Sequence, residues 1–584
     1  RSKSRIIFPS SCMKIIHQQL ILKAFQTNSF CDALIETVKV NWLDWSTEAF
    51  EKARKENKLI FLSISAVWCH WCHRFDHDAL EKPVVVKILN EKFVPIRVDT
   101  DKRPDINSRY NMGGWPSYAI IAPEKGITLA GGTYLPEQEL LQVLEQTESF
   151  YKLQKSRIEE SELVLAQTPK QKIEFNSEQL VQQCLGQIEK SFDQDFGGFG
   201  FQPKFPMPDI LKFLLFRAEN FSDKNSLKML TKTLNAMQSS ELFDKEEGGF
   251  FRYSTTREWS IPHYEKMLED NSHLLEIYLE AYKLTKDEKY KQTAKRISDY
   301  LFANLFDEKN SVFFASQDAD EEYYKLPLKK RKEVKKPFID KTIFTDLNAL
   351  LVPILLNAGI VLQNSEYQKT ALKCLDFLIE NLFNGRIVRH YLGTTAPENL
   401  LRDYSLLLNA CLCAYSYIFD NTYLDKAKVL NEIILRKFLD KDFAFVDSAQ
   451  ETNQFGELSK PRRNGFENFI MVVNLLQLSF FSGTDTYRKT ALQTFNSFLL
   501  DFPENEFPFW SSLSADVLKN GLSEINLSKL LPHAEMNKFL FYCNFFTVAK
   551  KSVLQKDFSA EVCKNNSCLP PVKDFLEFQK IFSY

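Results

Sequence analysis

The sequence predicts a multidomain chain, with a small α/β domain near its start and a much larger all-α domain after it. Three observations carry this. Between residues 58 and 150, short β-prone apolar runs are interleaved with a Cys-x-x-Cys helix start and a Gly-Gly-Trp-Pro turn. From about residue 175 to 550, apolar residues recur at helical spacing. Within that stretch Tyr-x-x-x-Ala opens an amphipathic helix four times, at Tyr290, Tyr367, Tyr423 and Tyr487. The 584 residues exceed one ordinary domain. The expected division is an N-terminal extension over 1–41, the α/β domain over 42–152, a linker helix over 153–175, the helical domain over 176–550 and a C-terminal segment over 551–584.

In the α/β domain, Leu59–Ser65 reads as a buried strand. It runs into Ala66-Val67-Trp68-Cys69-His70-Trp71-Cys72-His73, where a helix begins. Phe93–Asp99 is a second strand and Tyr118–Ile121 a third. Lys125-Gly126 then turns the chain into Ile127–Ala130, and residues 137–150 read as a closing helix. A thiolate at a helix N-terminus is stabilised by unpaired N–H groups and the helix dipole, which lowers its pKa. His70 and His73 lower it further when protonated, and Trp68 adjoins the first cysteine. Two cysteines so spaced close a disulfide with little backbone movement. The residues leave two other readings open: a metal site among Cys69, His70, Cys72, His73, Asp76 and His77, or thiols without a role. The redox pair is favoured, with no metal and no cofactor expected.

The order of strand, Trp-Cys-x-x-Cys helix, strand, Gly-Trp-Pro, hairpin and helix resembles thioredoxin from end to end. That resemblance implies Cys69 as the exposed nucleophile, Cys72 as the resolving thiol and Pro116 as a cis-proline facing them. It also exposes a departure. Thioredoxin carries a buried acid six residues before its first active-site cysteine, and here that position is Ser63. Either the pair is a poor general reductant, or His70 or His73 passes the proton.

In the helical domain, each Tyr-x-x-x-Ala helix follows another apolar helix across a short polar turn, so each copy is a helical hairpin. Asp270, Asn348, Asp403 and Asn468 lie 20, 19, 20 and 19 residues before the four tyrosines. A weaker copy runs from Asp209 through the helix around Leu227, and helices near 177–192 and 535–548 would complete a ring. The copies are 77, 56 and 64 residues apart, unlike the period of about 34 of a tetratricopeptide array. Hairpins with variable loops fit a closed (α/α)6 toroid, whose first helices line the inside. The repeated polar residues would then ring a cleft; the plainer alternative is that each caps its helix. Further polar clusters lie at His263, Glu265, Asp318, Asp320 and Tyr404, and aromatic rings beside carboxylates suit sugars.

Composition excludes some classes. The net charge of −2 gives no case for nucleic acid, and no run approaches the ~20 apolar residues of a membrane span. Residues 1–31 carry Arg1, Lys3, Arg5, Lys14 and Lys23 and no acid; they are set aside from the fold, with Met13 read as an alternative start. Eleven cysteines scattered along the chain are not a secreted disulfide framework, and a reducing cytoplasm is the expected compartment. Apart from Cys69 and Cys72, only Cys563 and Cys568 are a close pair set apart from apolar helices. The basic run Lys329-Lys330-Arg331-Lys332 with Lys335 and Lys336 reads as a solvated loop.

From about residue 42 the chain resembles the spermatogenesis-associated protein 20 family. The residues that carry this are Cys-His-Trp-Cys-His, Val98-Asp99, Arg103-Pro104-Asp105, Gly113-Gly114-Trp115-Pro116 and Gly131-Gly132-Thr133-Tyr134. Pro203-Lys204-Phe205-Pro206, Pro262-His263-Tyr264-Glu265-Lys266-Met267-Leu268 and Asp318-Ala319-Asp320 extend the match. The resemblance implies a thioredoxin-like domain followed by a toroid of the six-hairpin glycosidase and N-acylglucosamine 2-epimerase type, with no settled reaction. Leu347 stands where the family pattern has Trp. The expected function is thiol–disulfide exchange through Cys69 and Cys72, with the toroid holding a client or ligand. The partner would be a protein thiol or disulfide, with a carbohydrate ligand also in view. The alternatives are a carbohydrate-active hydrolase or epimerase using the cleft, and a non-catalytic scaffold.

Overall fold

The computed structural model describes residues 39–160, 177–449, 454–498, 509–528, 532–542, 547–551, 558–564 and 567–582. Residues 1–38 of the expected N-terminal extension and most of the expected linker therefore fall outside the described residues.

The first domain is built on four strands: β1 (Leu59–Ser65), β2 (Phe93–Asp99), β3 (Ser117–Ala122) and β4 (Ile127–Gly132). Their order is β2-β1-β3-β4, with β1 parallel to β2 and antiparallel to β3. Alternation along β1 sends Leu59 and Phe61 to one face and Ile60, Leu62 and Ile64 to the other, and both faces are covered. α1 (Thr47–Glu56), capped by the Ser46 hydroxyl, covers the second face. α2 (His70–Phe75) follows β1, α3 (Pro83–Lys92) leads into β2 and α4 (Pro104–Tyr110) into β3. The closing helix α5 is longer than expected, Glu137–Glu160, and takes in the start of the expected linker helix.

The second domain is a ring of helical hairpins. Six helices pack side by side around its axis: α7 (Pro208–Phe221), α9 (Leu268–Thr285), α13 (Thr345–Val361), α15 (Leu401–Ile418), α17 (Gly465–Ser482) and α19 (Phe509–Asn520), with α19 closing back on α7. Their outer partners are α8 (Lys224–Ser239), α10 (Glu288–Tyr300), α14 (Ser365–Asn381), α16 (Asn421–Lys437), α18 (Asp485–Phe498) and, for α19, α6 (Ser177–Ser191). The closed (α/α)6 toroid is thus present, but one element is corrected. The helix that pairs with α6 is α19; the segment near 535–548 instead gives α20 (His533–Leu540), which lies outside the ring. Trp510, Leu513 and Val517 supply the buried face that makes α19 an inner helix. Two short helices, α11 (Glu321–Tyr324) and α12 (Leu328–Arg331), lie in the long loop before α13.

Between hairpins the chain makes tight loops that begin at Asp193, Asp244 and Asp440 and end at an aromatic residue of the core. Asp244, buried, takes Lys266 at 2.6 Å and Arg331 at 2.7 Å. Arg331 is therefore buried, a correction to its reading as solvated loop, while Lys329, Lys330, Lys332, Lys335 and Lys336 around it are exposed. In this loop Gly248 and Gly249 have φ of 82° and 75°, and a Cβ on Gly248 would lie 2.4 Å from the Arg296 carbonyl oxygen.

The repeated polar residues prove to hold these loops. Asn348 accepts the Phe313 N–H at 2.8 Å and donates to the carbonyls of Phe313 and Phe344 at 3.0 and 2.9 Å. Asn468 repeats the pattern on Phe445 and Asn464, each bond at 2.8 Å. Asn271, not Asp270, repeats it on Phe250 and Met267. In the remaining copy Tyr404 substitutes: its hydroxyl accepts the Val388 N–H and donates to the Glu398 carbonyl. Asn348, Asn468 and Tyr404 are thus corrected from cleft residues to buried loop clasps. Replacing Asn348 with Ala is expected to cost about 2–4 kcal/mol in urea unfolding, because two buried groups of Phe313 lose their partner at about 1–3 kcal/mol each. An exposed control, Asn381→Ala, should stay within about 0.5 kcal/mol; equal effects would show that the clasp contributes nothing.

The residues from Ser523 onward form a module of their own, so the helical domain ends near Asn520 rather than 550. Its sheet contains the strands Ser523–Leu527, Thr547–Lys551, Ala560–Lys564 and Ser567–Cys568, flanked by α20 and α21 (Phe575–Phe582). It packs on the C-terminal ends of α13 and α15 through Ile360 and Ser416. Cys563 and Cys568 lie opposite each other across its hairpin and are joined as a disulfide. Among the described residues no helix is long and apolar enough to cross a membrane.

Candidate functional site

The α/β domain sits over the mouth formed by the N-terminal ends of the inner helices, with the cysteine pair at the seam. β1 ends at Ser65, and Cys69 is the N-cap of α2: the Cys72 N–H donates to the Cys69 Sγ at 3.2 Å. The two sulfurs are joined, with their Cα atoms 5.2 Å apart. The Trp115–Pro116 bond is cis, and Trp115 packs on the pair and edge-on to Trp68 at 5.5 Å. Met267, contributed by the toroid, also packs on it. Cys69 keeps only 4% of its surface exposed and Cys72 2%, so the exposed nucleophile is a correction: the pair is buried in a cluster with Ala66 and Trp68. His70, Trp71 and His73 remain exposed. Asp76 and His77 turn away to Arg97 and Asp78, which dissolves the six-residue metal set.

A carboxyl from another segment reaches the tryptophan of the cysteine motif. Asp101, just after β2, accepts the Trp68 indole N–H at 2.7 Å. Burial and the charge of Asp99 push its carboxyl up to about 7, against that hydrogen bond and the Arg252 charge. The Arg252 guanidinium lies over Trp68 at 4.0 Å and over Trp115 at 5.0 Å.

Beneath these tryptophans is a cavity of about 350 Å³ between the domains. Its floor comes from the first turns of α9, α13, α15 and α17. Arg402 donates to Asp346 at 2.8 Å and also pairs with Glu269. His390 touches Asp403 through Nδ1 at 2.9 Å and the Asp101 carbonyl through Nε2 at 2.7 Å. A carbonyl accepts only, and so does a carboxylate, so both ring nitrogens carry protons. Burial opposes that charge, but Asp403 and Asp346 outweigh it and push His390 up to about 9. Asp346, His390 and Asp403 could bring ligand atoms within 4.8 Å of one another, yet the doubly engaged imidazole has no lone pair for a metal.

Asp270 lines the cavity, and its Oδ2 is buried without a hydrogen-bond partner; burial pushes it to about 7, with Arg252 opposing. Asp403 lies one layer below, behind His390. His263, Glu265 and Asp318 gather elsewhere, toward the exposed side of α2. His263 bonds Glu265 and stacks on Tyr253 at 4.9 Å. Burial raises Asp318, while the Ala319 N–H and the charges of His73 and His70 hold it down. Asp320 caps α11 through the Tyr323 N–H, a correction to its place in the cleft. The predicted set is therefore two separate groups and several structural residues. Asp101, Arg252, Asp346, His390 and Glu467 were not anticipated. A signal existed for Glu467: it lies 20 residues before Tyr487, the offset of Asp270 and Asp403.

The seam is fixed by Arg109 of α4. Its guanidinium, fully buried, makes paired bonds to Asp447 at 2.8 and 3.1 Å and donates to the carbonyls of Glu457 and Lys460. The Tyr110 hydroxyl accepts the Glu457 N–H, and Phe50 stacks on Phe455.

Comparison with known proteins bears on both domains. Residues 29–169 match the Thioredox_DsbH family, described as a protein of unknown function, DUF255. Residues 213–341 match the family described as N-acylglucosamine 2-epimerase. Spermatogenesis-associated protein 20 of Homo sapiens is 34% identical over 312 residues, which are 48% of this chain and 39% of that protein. The match thus spans about two-fifths of that relative's length. Among solved structures, the cellobiose 2-epimerase of Bacillus thermoamylovorans B4167 aligns with a TM-score of 0.46 at 10% identity, over 58% of this chain and 98% of that one. A sugar epimerase from a ruminal bacterium aligns at 0.48 and 12%, over 59% and 98%.

Proposed function

The chain is 34% identical to spermatogenesis-associated protein 20 over 312 residues, and from that likeness we propose that it is a thiol–disulfide redox protein whose toroid holds a ligand or client beside the cysteine pair. The observation that carries this is the pair itself: Cys69 at the start of α2 and Cys72 one turn on, with Trp115 packed on their cluster. In the reducing direction the Cys69 thiolate attacks a client disulfide, forming a mixed disulfide and releasing one client thiolate. Cys72, as thiolate, then attacks the Cys69 Sγ, forming the Cys69–Cys72 bond and releasing the second client thiolate. Two electrons pass from the pair to the client. Because Met267 and Trp115 cover the pair, a protein client must displace them, whereas a small disulfide needs less room.

The test is equilibration of the full chain in glutathione and thioredoxin redox buffers, with trapping of free thiols and mass spectrometry. A two-electron transition of Cys69 and Cys72 within a few tens of millivolts of about −270 mV is expected, the thioredoxin value. A pair that never closes would sink the proposal.

A second reading has its own observation. Asp270 and Glu467 both line the cavity, and burial first, with neighbouring carboxylates, pushes them up to about 7 and about 8. Carboxyls poised there suit acid–base work on a sugar by a hydrolase or epimerase. Turnover of a sugar by the wild type, lost in Asp270→Asn, would favour this reading over the first.

A further inference from the structure

The interdomain cavity is lined by more carboxyl groups than cations. Glu467 is 8% exposed and its Oε2 has no hydrogen-bond partner; Asp346, 6% exposed, turns its Oδ1 to the protonated His390 at 4.0 Å. Asp270 Oδ2 is a second oxygen without a hydrogen-bond partner, and all three residues line the same cavity. Their protein cations are already engaged. Arg402 is held by Asp346 and Glu269, His390 by Asp403 and the Asp101 carbonyl, and Arg109 by Asp447. Arg252 lies flat on the two tryptophans at the roof, and it offsets part of the Asp270 and Asp101 charge. Buried carboxylate oxygens without partners are costly, and Glu467 and Asp270 meet that cost by holding their protons to higher pH. Around Glu467, burial and the charges of Asp447 and Asp403 outweigh those of Arg402 and Arg109. A cation placed among these oxygens would meet several acceptors at once and expel the retained protons.

We propose that the cavity is a binding site for a small organic cation, an ammonium or guanidinium group, seated beside the carboxyls of Glu467 and Asp270. The volume, about 350 Å³, lies within the range of small-molecule sites, about 300–1,000 Å³. Aromatic walls from Trp68, Trp115 and Phe344 suit the carbon skeleton of such a ligand. The proposal deepens the ligand-binding half of the proposed function and is independent of the thiol chemistry, since no cysteine touches the ligand. Trp68 belongs both to the cavity and to the redox motif, so an occupied cavity borders Cys69.

The test is titration calorimetry of the full chain at pH 7.5 with four probes: 1-aminobutane, methylguanidine, 1-butanol and butyrate. The two cations are expected to bind with release of protons, seen as a heat that changes with the ionisation enthalpy of the buffer. 1-Butanol and butyrate should bind at least tenfold more weakly. Glu467→Gln, which loses no hydrogen bond at Oε2, should weaken the cations at least tenfold while its melting temperature does not fall. Asp270→Asn gives a second variant should the first misfold. Equal binding of 1-butanol, cation binding unchanged in both variants, or no cation binding to the wild type would each overturn the proposal. Thiol trapping in the same samples separates that failure from a failure of the redox reading.

Discussion

Arg109→Ala is expected to lower stability by about 3–5 kcal/mol and to loosen the α/β domain from the toroid mouth. The Arg109 side chain is fully buried and its fork satisfies Asp447 and two backbone carbonyls. Removing one partner of a buried ion pair leaves the other uncompensated, and that penalty sets the magnitude. The loss should concentrate at the seam, because the two cores on either side do not depend on Arg109. Urea unfolding followed by tryptophan fluorescence reads the stability, and Trp68 and Trp115 report from the seam itself. Alkylation of reduced Cys69 reads the geometry. It should accelerate several-fold as Met267 lifts away. Lysine at position 109 restores the charge but not the paired bonds, so it should recover less than half of the loss. If Arg109→Ala unfolds like wild type and Cys69 reacts no faster, the domains are held by other contacts.

Glu467→Gln is expected to raise stability at pH 8 and to leave it nearly unchanged at pH 5. Burial, with Asp447 and Asp403 nearby, moves the Glu467 carboxyl from an ordinary 4.5 to about 8, while Arg402 and Arg109 oppose. Between those values the folded protein holds a proton that the unfolded chain has released. Stability therefore falls as pH rises through this window and is fully present only below it. Glutamine cannot titrate and removes that slope. Each pKa unit corresponds to about 1.4 kcal/mol, so the difference at pH 8 is on the order of 3 kcal/mol after allowing for water in the cavity. Asp270, moved to about 7, adds to the wild-type slope in the same direction. Urea melts of both proteins at pH 5, 6.5 and 8 check this; a gain that does not grow with pH would mean that Glu467 is not held protonated. The same substitution is the one expected to weaken cation binding, so stability and ligand affinity should move in opposite directions.

What the sequence determined by itself is whatever is written in local periodicity and short motifs. The alternation along Leu59–Ser65, the Cys69-x-x-Cys72 helix start and the Tyr290, Tyr367, Tyr423 and Tyr487 hairpins all fix their own segments within a turn or strand. Two domains and a ring of hairpins follow from them.

Tertiary structure decided the rest, and the physical reason is angular. Successive residues on an α-helix point about 100° apart, so an offset of 20 and one of 19 name different faces. At 20 residues before each tyrosine stand Asp270, Leu347, Asp403 and Glu467; at 19 stand Asn271, Asn348, Tyr404 and Asn468. The first set turns toward the mouth and the second clasps the loops, a distinction that no single helix reveals. Likewise, Asp101 becomes the acid beside Trp68, and His390 a charged group, only because the α/β domain docks on the toroid and brings the Asp101 carbonyl to the imidazole. Contacts between residues 289 positions apart carry no local signature, so the motif could be read from the sequence while its setting could not.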